Sequence, residues 1–314
     1  MEEIVMELHI LDCSNYIYAG SFSKKFIARG VRESNNEYQA NEAPIGGVRF
    51  LLRQISSLMR PGVDIMPVFD RVPEIKREMY ANTFGNEGYK ANRPAKKIDI
   101  TGQQAYAEQI LRDVGFPVQA VDGYEADDVI YSLVRYYKND YEKIYIHTKD
   151  SDLFFLVDTN VSIAKVGDQG KEIDVYSYPL LVKSGEHTLY NTVHLRKLCR
   201  GDSSDNIPGV GWDFAEKLDA IVPTEQYAKF GDLDLCREYI KRVVTENPTM
   251  VGGHNILRTF NILCPLLVNF EELNDIEQDV DTGKWGYYMS DWSQSMDRWG
   301  LEEMLADYIE SYYE

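Results

Sequence analysis

The chain has 314 residues, 44% hydrophobic and 27% charged, enough for one large domain or two modest ones with sizeable cores. No run approaches the ~18 apolar residues of a membrane span, and the best local one, ILCPLLV at 262–268, is broken by Pro265. A net charge of −18 excludes a uniformly basic nucleic-acid binder.

The acidic start MEEIVMELHILD leads straight into strand-like sequence and does not read as a signal peptide. Residues 7–12, ELHILD, read as a strand ending at Asp12. Residues 44–60 read as a helix, with Pro44 in its first turn and Val48, Leu51, Leu52, Ile55 and Leu58 on one face. VDIMPVFD, 63–70, is a second strand ending at Asp70. Asp99 suits the N-cap of a helix that stops near Gly115. PVQAV, 117–121, reads as a third strand, and VDGYEADDVIYSLV, 121–134, continues into a helix. KIYIHT, 143–148, is a fourth strand and VSIAKV, 161–166, a fifth. Strands alternating with helices of this length predict an α/β fold with a mostly parallel sheet, over 1–185. From about residue 186 to 314 helical periods take over, as in HLRKLC, EQYAKF, CREYIKRVV and LEEMLADYIE. Four scattered cysteines (Cys13, Cys199, Cys236, Cys264) form no CxxC pair, which predicts free thiols in a reducing cytoplasm.

Charge is unevenly spread. Residues 71–97 carry seven basic residues (Arg71, Lys76, Arg77, Lys90, Arg93, Lys96, Lys97) against three acidic ones. This basic island, with breakers at Gly85, Gly88 and Pro94, is either a solvated loop or anion-binding equipment. The acids also cluster. Asp12 and Asp70 end strands. Glu125, Asp127 and Asp128 follow the third strand, Asp150 and Asp152 the fourth, and Asp202 and Asp205 sit in CRGDSSDNIPGVG. Any one group reads equally well as a turn residue, a cap or a first-turn acid favoured by the helix dipole. Together they place nine carboxylates at the carboxyl edge of one sheet, where ligands of open α/β folds bind. Such a cluster repels itself unless cations fill it, and all-oxygen ligands suit Mg²⁺ or Mn²⁺. Two such ions about 4 Å apart clamp the attacking and leaving oxygens of a phosphoryl displacement.

GYEADDVI, HTKDSDLFFLV and GDSSDNIPGVG, in this order and spacing, resemble the structure-specific 5′ nuclease family. It comprises flap endonucleases, the 5′-nuclease domain of bacterial DNA polymerase I, and bacteriophage 5′→3′ exonucleases with RNase H activity. LHILDCSNYIY resembles the family's first strand, and KREMY with GYKANRP resembles its arch, here about 71–98. The resemblance covers about 8–218. It implies a PIN-like nuclease fold with a helical arch and a C-terminal helical region. Asp12, Asp70, Glu125 and Asp127 would serve the first metal, with Asp128 at or beside it. Asp150, Asp152 and Asp205 would serve the second, with Asp202 in support. Lys90 and Arg77 would face the scissile phosphate. Tyr89 would stack on a base or simply pack the arch, and Arg93 would hold a neighbouring phosphate. Lys76, Lys96 and Lys97 would add to the basic surface for the strand.

DNIPGVGWDFAEKL resembles the family's helix–hairpin–helix, about 196–218. There the backbone of Gly209 and Gly211 would face duplex phosphates, often with a K⁺ ion. The turn is shortened to GVGWD, with Trp212 and Asp213 where small residues are expected. NTFGNEG is inserted in the arch. The expected partners are 5′-ended or flapped DNA, RNA–DNA hybrid and replication proteins. The expected setting is a monomer in the cytoplasm, a phage host's cytoplasm if the chain is phage-encoded. Two rivals stay open: a PIN-like ribonuclease and a non-catalytic divalent-ion binder.

Overall fold

A computed structural model describes residues 6–21, 46–60, 62–85, 88–90, 100–166, 173–177 and 264–274, with six isolated helical positions between 238 and 262. Five strands form one sheet: β1 (Glu7–Asp12), β2 (Val63–Val68), β3 (Lys143–His147), β4 (Val161–Val166) and β5 (Ile173–Tyr176). Their order is β2-β1-β3-β4-β5. The first four run parallel, and β5 pairs antiparallel with β4, Ile163 opposite Tyr176. β1 therefore sits between the strand that follows it and one 131 residues further on, Leu11 facing Pro67 on one side and His147 on the other. This reversal of strand order opens a crevice at the carboxyl ends of β1 and β3.

Alternation along β1 sorts its side chains to two faces. Leu8 and Ile10 join Ile144, Ile146, Val161 and Ile163 beneath α5 (Ala126–Tyr137), which lays Val129, Ile130, Leu133 and Val134 against them. On the other face Leu11, Ile65 and Phe69 pack with α1 (Cys13–Ser21), α2 (Gly46–Leu58) and α4 (Thr101–Asp113). α1 and α2 cross so closely that a Cβ on Gly47 would lie 2.4 Å from the Ile17 carbonyl oxygen. The arch begins with α3 (Glu74–Phe84).

Four of the five expected strands are present. PVQAV is not a strand: it makes one parallel bridge, Val68 to Gln119. Pro117 has no N–H to give a ladder. The next groups are taken by residues 155 or more positions away, since the Gln119 side chain and the Val118 carbonyl bond Asn274. β5 escapes sequence reading because its four residues are too few to show alternation.

Residues 264–274, within the region expected to be helical, are instead an extended strap closed by one 3-10 turn, Phe270–Glu272. Cys264, Val268 and Leu273 are buried in the core beneath α5. The isolated positions Glu238, Lys241 and Arg242 are helical, as CREYIKRVV predicts. Residues 196–218, the expected helix–hairpin–helix, lie outside the described residues. No helix among the described residues is long and apolar enough to cross a membrane.

Candidate active site

The crevice holds a cavity of about 690 Å³. Its walls include Asp12, Asp70, Glu125, Asp127, Asp150 and Asp152, and also Arg77, Tyr89 and Lys90 from the arch. Each acid arrives by local chain geometry. Asp12 is the last residue of β1 and is 4% exposed. Asn15 donates to it from side chain and backbone, at 2.6 and 3.2 Å, and the Thr148 hydroxyl donates at 2.9 Å. Asp70 follows β2 and accepts the Ala126 N–H at 2.9 Å, at the start of α5. Asp150 follows β3 and accepts from the Asp152 N–H at 2.9 Å, capping the 3-10 turn Ser151–Leu156. Asp127 projects from the first turn of α5.

Asp127, Asp150 and Asp152 each offer a carboxylate oxygen, all within 4.8 Å of one another. The electrostatics fit this crowding. Burial, then the charges of Asp150, Asp12, Glu125 and Asp70, push the Asp127 carboxyl well above the usual range. Burial and the Asp70 charge push Asp12 up to about 7, against the pull of Asn15 and Thr148. A set of half-buried oxygens that repel one another, with no imidazole or thiolate among them, fits a hard divalent cation.

Glu125 lives differently. Lys90 Nζ lies 2.5 Å from Oε1, Lys76 Nζ 3.2 Å from Oε2, and the Tyr89 hydroxyl donates to Oε2 at 3.1 Å. Burial opposes its charge, but the two ammonium groups outweigh burial and hold its carboxyl down at about 2. Lys90 reaches it from a left-handed backbone, φ 61°. That conformation costs a residue with a Cβ about 1–2 kcal/mol, and it turns the side chain back into the cavity. Arg77 is exposed and lines the same wall.

Two residues are placed against expectation. Asp128 is not at the metal cluster. It is fully buried on the core side of α5, where Lys76 Nζ lies 2.8 Å from Oδ1 and the Leu266 N–H donates to the same oxygen at 2.6 Å. Oδ2 accepts the Glu125 N–H at 3.1 Å. Three donors already occupy it. Lys76 is 3% exposed and lies between Glu125 and Asp128, so it is no part of a basic outer surface. Tyr89 is buried at 9%, its ring 5.0 Å from Lys90 Nζ and its hydroxyl on Glu125, which is arch packing rather than an open stacking platform. Arg93, Lys96, Lys97, Asp202, Asp205, Gly209 and Gly211 lie outside the described residues.

Sequence reading missed Asn15, Thr148 and Pro265. Asn15 and Thr148 were within reach, three residues after Asp12 and two before Asp150, short polar side chains at strand ends. Pro265 lines the cavity from the strap, and nothing in its own sequence signals that.

An α/β sheet with acids gathered at its switch point and cations held over them defines a phosphate-processing class of site. Within that class, residues 7–182 match the family model described as the 5′-3′ exonuclease N-terminal, resolvase-like domain, and the chain belongs to this family. It is 30% identical over 281 residues to DNA polymerase I of Caldicellulosiruptor bescii, covering 87% of this chain and 31% of that protein. It is 30% identical over 205 residues to the 5′-3′ exonuclease of Aquifex aeolicus, covering 65% of this chain and 64% of that protein. The chain thus spans under a third of that polymerase and just under two thirds of that exonuclease. Among solved structures, it aligns with the T5 5′-exonuclease bearing zinc at 14% identity and TM-score 0.48, over 97% of this chain and 98% of that one. With flap endonuclease-1 from Methanococcus jannaschii the identity is 12% and the TM-score 0.48, over 97% and 94%.

Proposed function

We propose that the chain is a divalent-metal-dependent 5′ nuclease that hydrolyses phosphodiesters near the 5′ ends of duplex or flapped DNA and leaves 5′-phosphates. RNA annealed to DNA is a further substrate, and primer removal during replication is the role that fits both. One observation carries the reading: acids from three strand ends share a single cavity with Lys90 and Arg77 of the arch.

Asp12, Asp70, Glu125, Asp127, Asp150 and Asp152 would together hold two ions, with Asp202 and Asp205 expected from their motif. Mg²⁺ or Mn²⁺ suits the oxygens. Bound there, such ions supply Lewis-acid stabilisation of the phosphoryl oxygens and lower the pKa of the attacking water.

The chain's own residues do the rest. Asn15 and Thr148 fix the Asp12 carboxylate. Lys90 exchanges Glu125 for a phosphate oxygen when substrate enters, and its charge then meets the negative charge developing in the transition state. Arg77 holds a second oxygen from the same wall. Arg93, Lys96 and Lys97, with the backbone of Gly209 and Gly211, would grip neighbouring phosphates. Binding of this kind is backbone-directed, blind to sequence and weakened by salt.

The test is a duplex with a 5′-labelled flap incubated with purified protein in Mg²⁺, in Mn²⁺ and in EDTA. The reading expects short labelled fragments ending in a 3′-hydroxyl, and a 5′-phosphate on the strand left behind, with either ion and none in EDTA. An intact flap in both ions would refute it.

A further inference from the structure

We propose that Lys76 is a positioning residue: from the wall of the cavity, where its side chain is only 4% exposed, it fixes Glu125 and the start of α5. The inference rests on reading Glu125 as a metal ligand. Lys76 belongs to α3, the first helix of the arch, yet its side chain is 4% exposed. A charge held this deep acts only on what it touches. It touches Asp128 at 2.8 Å and Glu125 at 3.2 Å, two acids three positions apart on one helix end.

The pair also joins elements distant in sequence. Asp128 accepts from Lys76 in the arch and from the Leu266 N–H in the strap, 138 residues away. One turn along α5 the Ser132 hydroxyl accepts the Val268 N–H at 2.8 Å. The strap thus rests on α5 at two points, and the next residue toward its start, Pro265, lines the cavity. Arch, metal-ligand helix and strap meet at the Lys76–Asp128 pair. With Lys76 in place, one Glu125 oxygen is held and the carboxylate is aimed. Without it, Glu125 keeps Lys90, the residue that catalysis needs to release.

The test compares Lys76→Met and Lys76→Arg with wild type. Mn²⁺ affinity is read by calorimetry without DNA, flapped-duplex affinity in EDTA, and kcat and KM in Mg²⁺. Supporting groups behind metal ligands typically change metal affinity or activity 10–100-fold. Lys76→Met should therefore weaken Mn²⁺ binding and lower kcat by about 10-fold or more, with KM and duplex affinity unchanged. Lys76→Arg should recover most of both. If Lys76→Met folds poorly, the neutral pair Lys76→Met with Asp128→Asn removes the stranded charge and should show the same Mn²⁺ defect. Weakened duplex affinity with unchanged kcat and Mn²⁺ affinity would overturn the proposal and make Lys76 a phosphate contact. Wild-type protein that binds no Mn²⁺ would overturn the reading of Glu125 beneath it, whereas wild-type binding untouched by Lys76→Met would overturn the positioning role alone.

Discussion

Glu125 and Asp127 are two residues apart and sit in opposite electrostatic worlds. Glu125 faces Lys76 and Lys90 and is held at about 2. Asp127 faces Asp150, Asp12 and Asp70 and is pushed well above the usual carboxylate range. The first side of the site is already compensated by the protein's own cations, carried in by the arch. The second crowds acids against one another, and on the proposed reading a cation from outside relieves them. On the proposed function, a site divided this way is stable as folded and still takes metal, and its arch lysine stays on Glu125 until substrate arrives.

The comparison breaks first on the side where acids crowd one another. Asp150→Asn should remove a ligand worth several kcal/mol of charge stabilisation, a loss of about 1,000-fold or more in flap cleavage, with the fold intact. A variant that keeps a tenth of the wild-type rate would move the metal site elsewhere. Next comes the compensated side. Lys90→Ala should slow single-turnover cleavage by about 10²–10³-fold while duplex affinity changes little. Equal losses in both would make Lys90 a docking contact.

Asp128 sharpens the contrast, since its partner is a cation rather than a rival acid. Asp128→Asn should unfold at lower denaturant, by about 3–5 kcal/mol, because it takes the nearer of two carboxylates from a buried ammonium. Asp127→Asn, relieved of repulsion, should lose no stability in EDTA. Equal denaturation midpoints for the two variants would erase the distinction between them.

The smallest effect lies under the sheet. His9 Nδ1 and His147 Nε2 are 2.8 Å apart, and the Tyr16 hydroxyl is 3.1 Å from the second ring. Burial, partly offset by Glu7, lowers His9 to about 4, and burial with the His9 charge lowers His147 to about 3. An unfolded histidine takes up a proton near pH 6.5, and these do not. Their contribution to stability is therefore full above about pH 6.5 and is lost as pH falls toward 4. Asp12 titrates in the opposite sense, so the measurement is a difference. The melting temperature of wild type should fall more steeply between pH 6.5 and 4 than that of the His9→Gln, His147→Gln double variant. Parallel slopes would mean the pair is protonated in the fold.

Much of this was legible beforehand because it is local. Strand ends and first-turn acids are sequence positions, and the apolar stripe of α5 announces which face of that helix is core. What was hidden depends on distant chain. Asp127 and Asp128 are neighbours in a string of acids, but on a helix they point about 100° apart. Only the strap, arriving 138 residues later, reveals that Asp128 and Ser132 are anchors for Leu266 and Val268. Lys76 likewise reads as one more arch cation until the helix rotation that buries it is known. PVQAV has strand composition, but Asn274 claims its outer edge.

The division of the site is tested most directly by melting wild type and Asp127→Asn at pH 8, each in EDTA and in Mg²⁺. Wild type should gain several degrees on adding Mg²⁺, and Asp127→Asn should match or exceed wild type in EDTA and gain little from the ion. A wild-type protein indifferent to Mg²⁺, or an Asp127→Asn variant that melts lower in EDTA yet still responds fully, would show that these carboxylates hold the fold together instead of waiting for a cation.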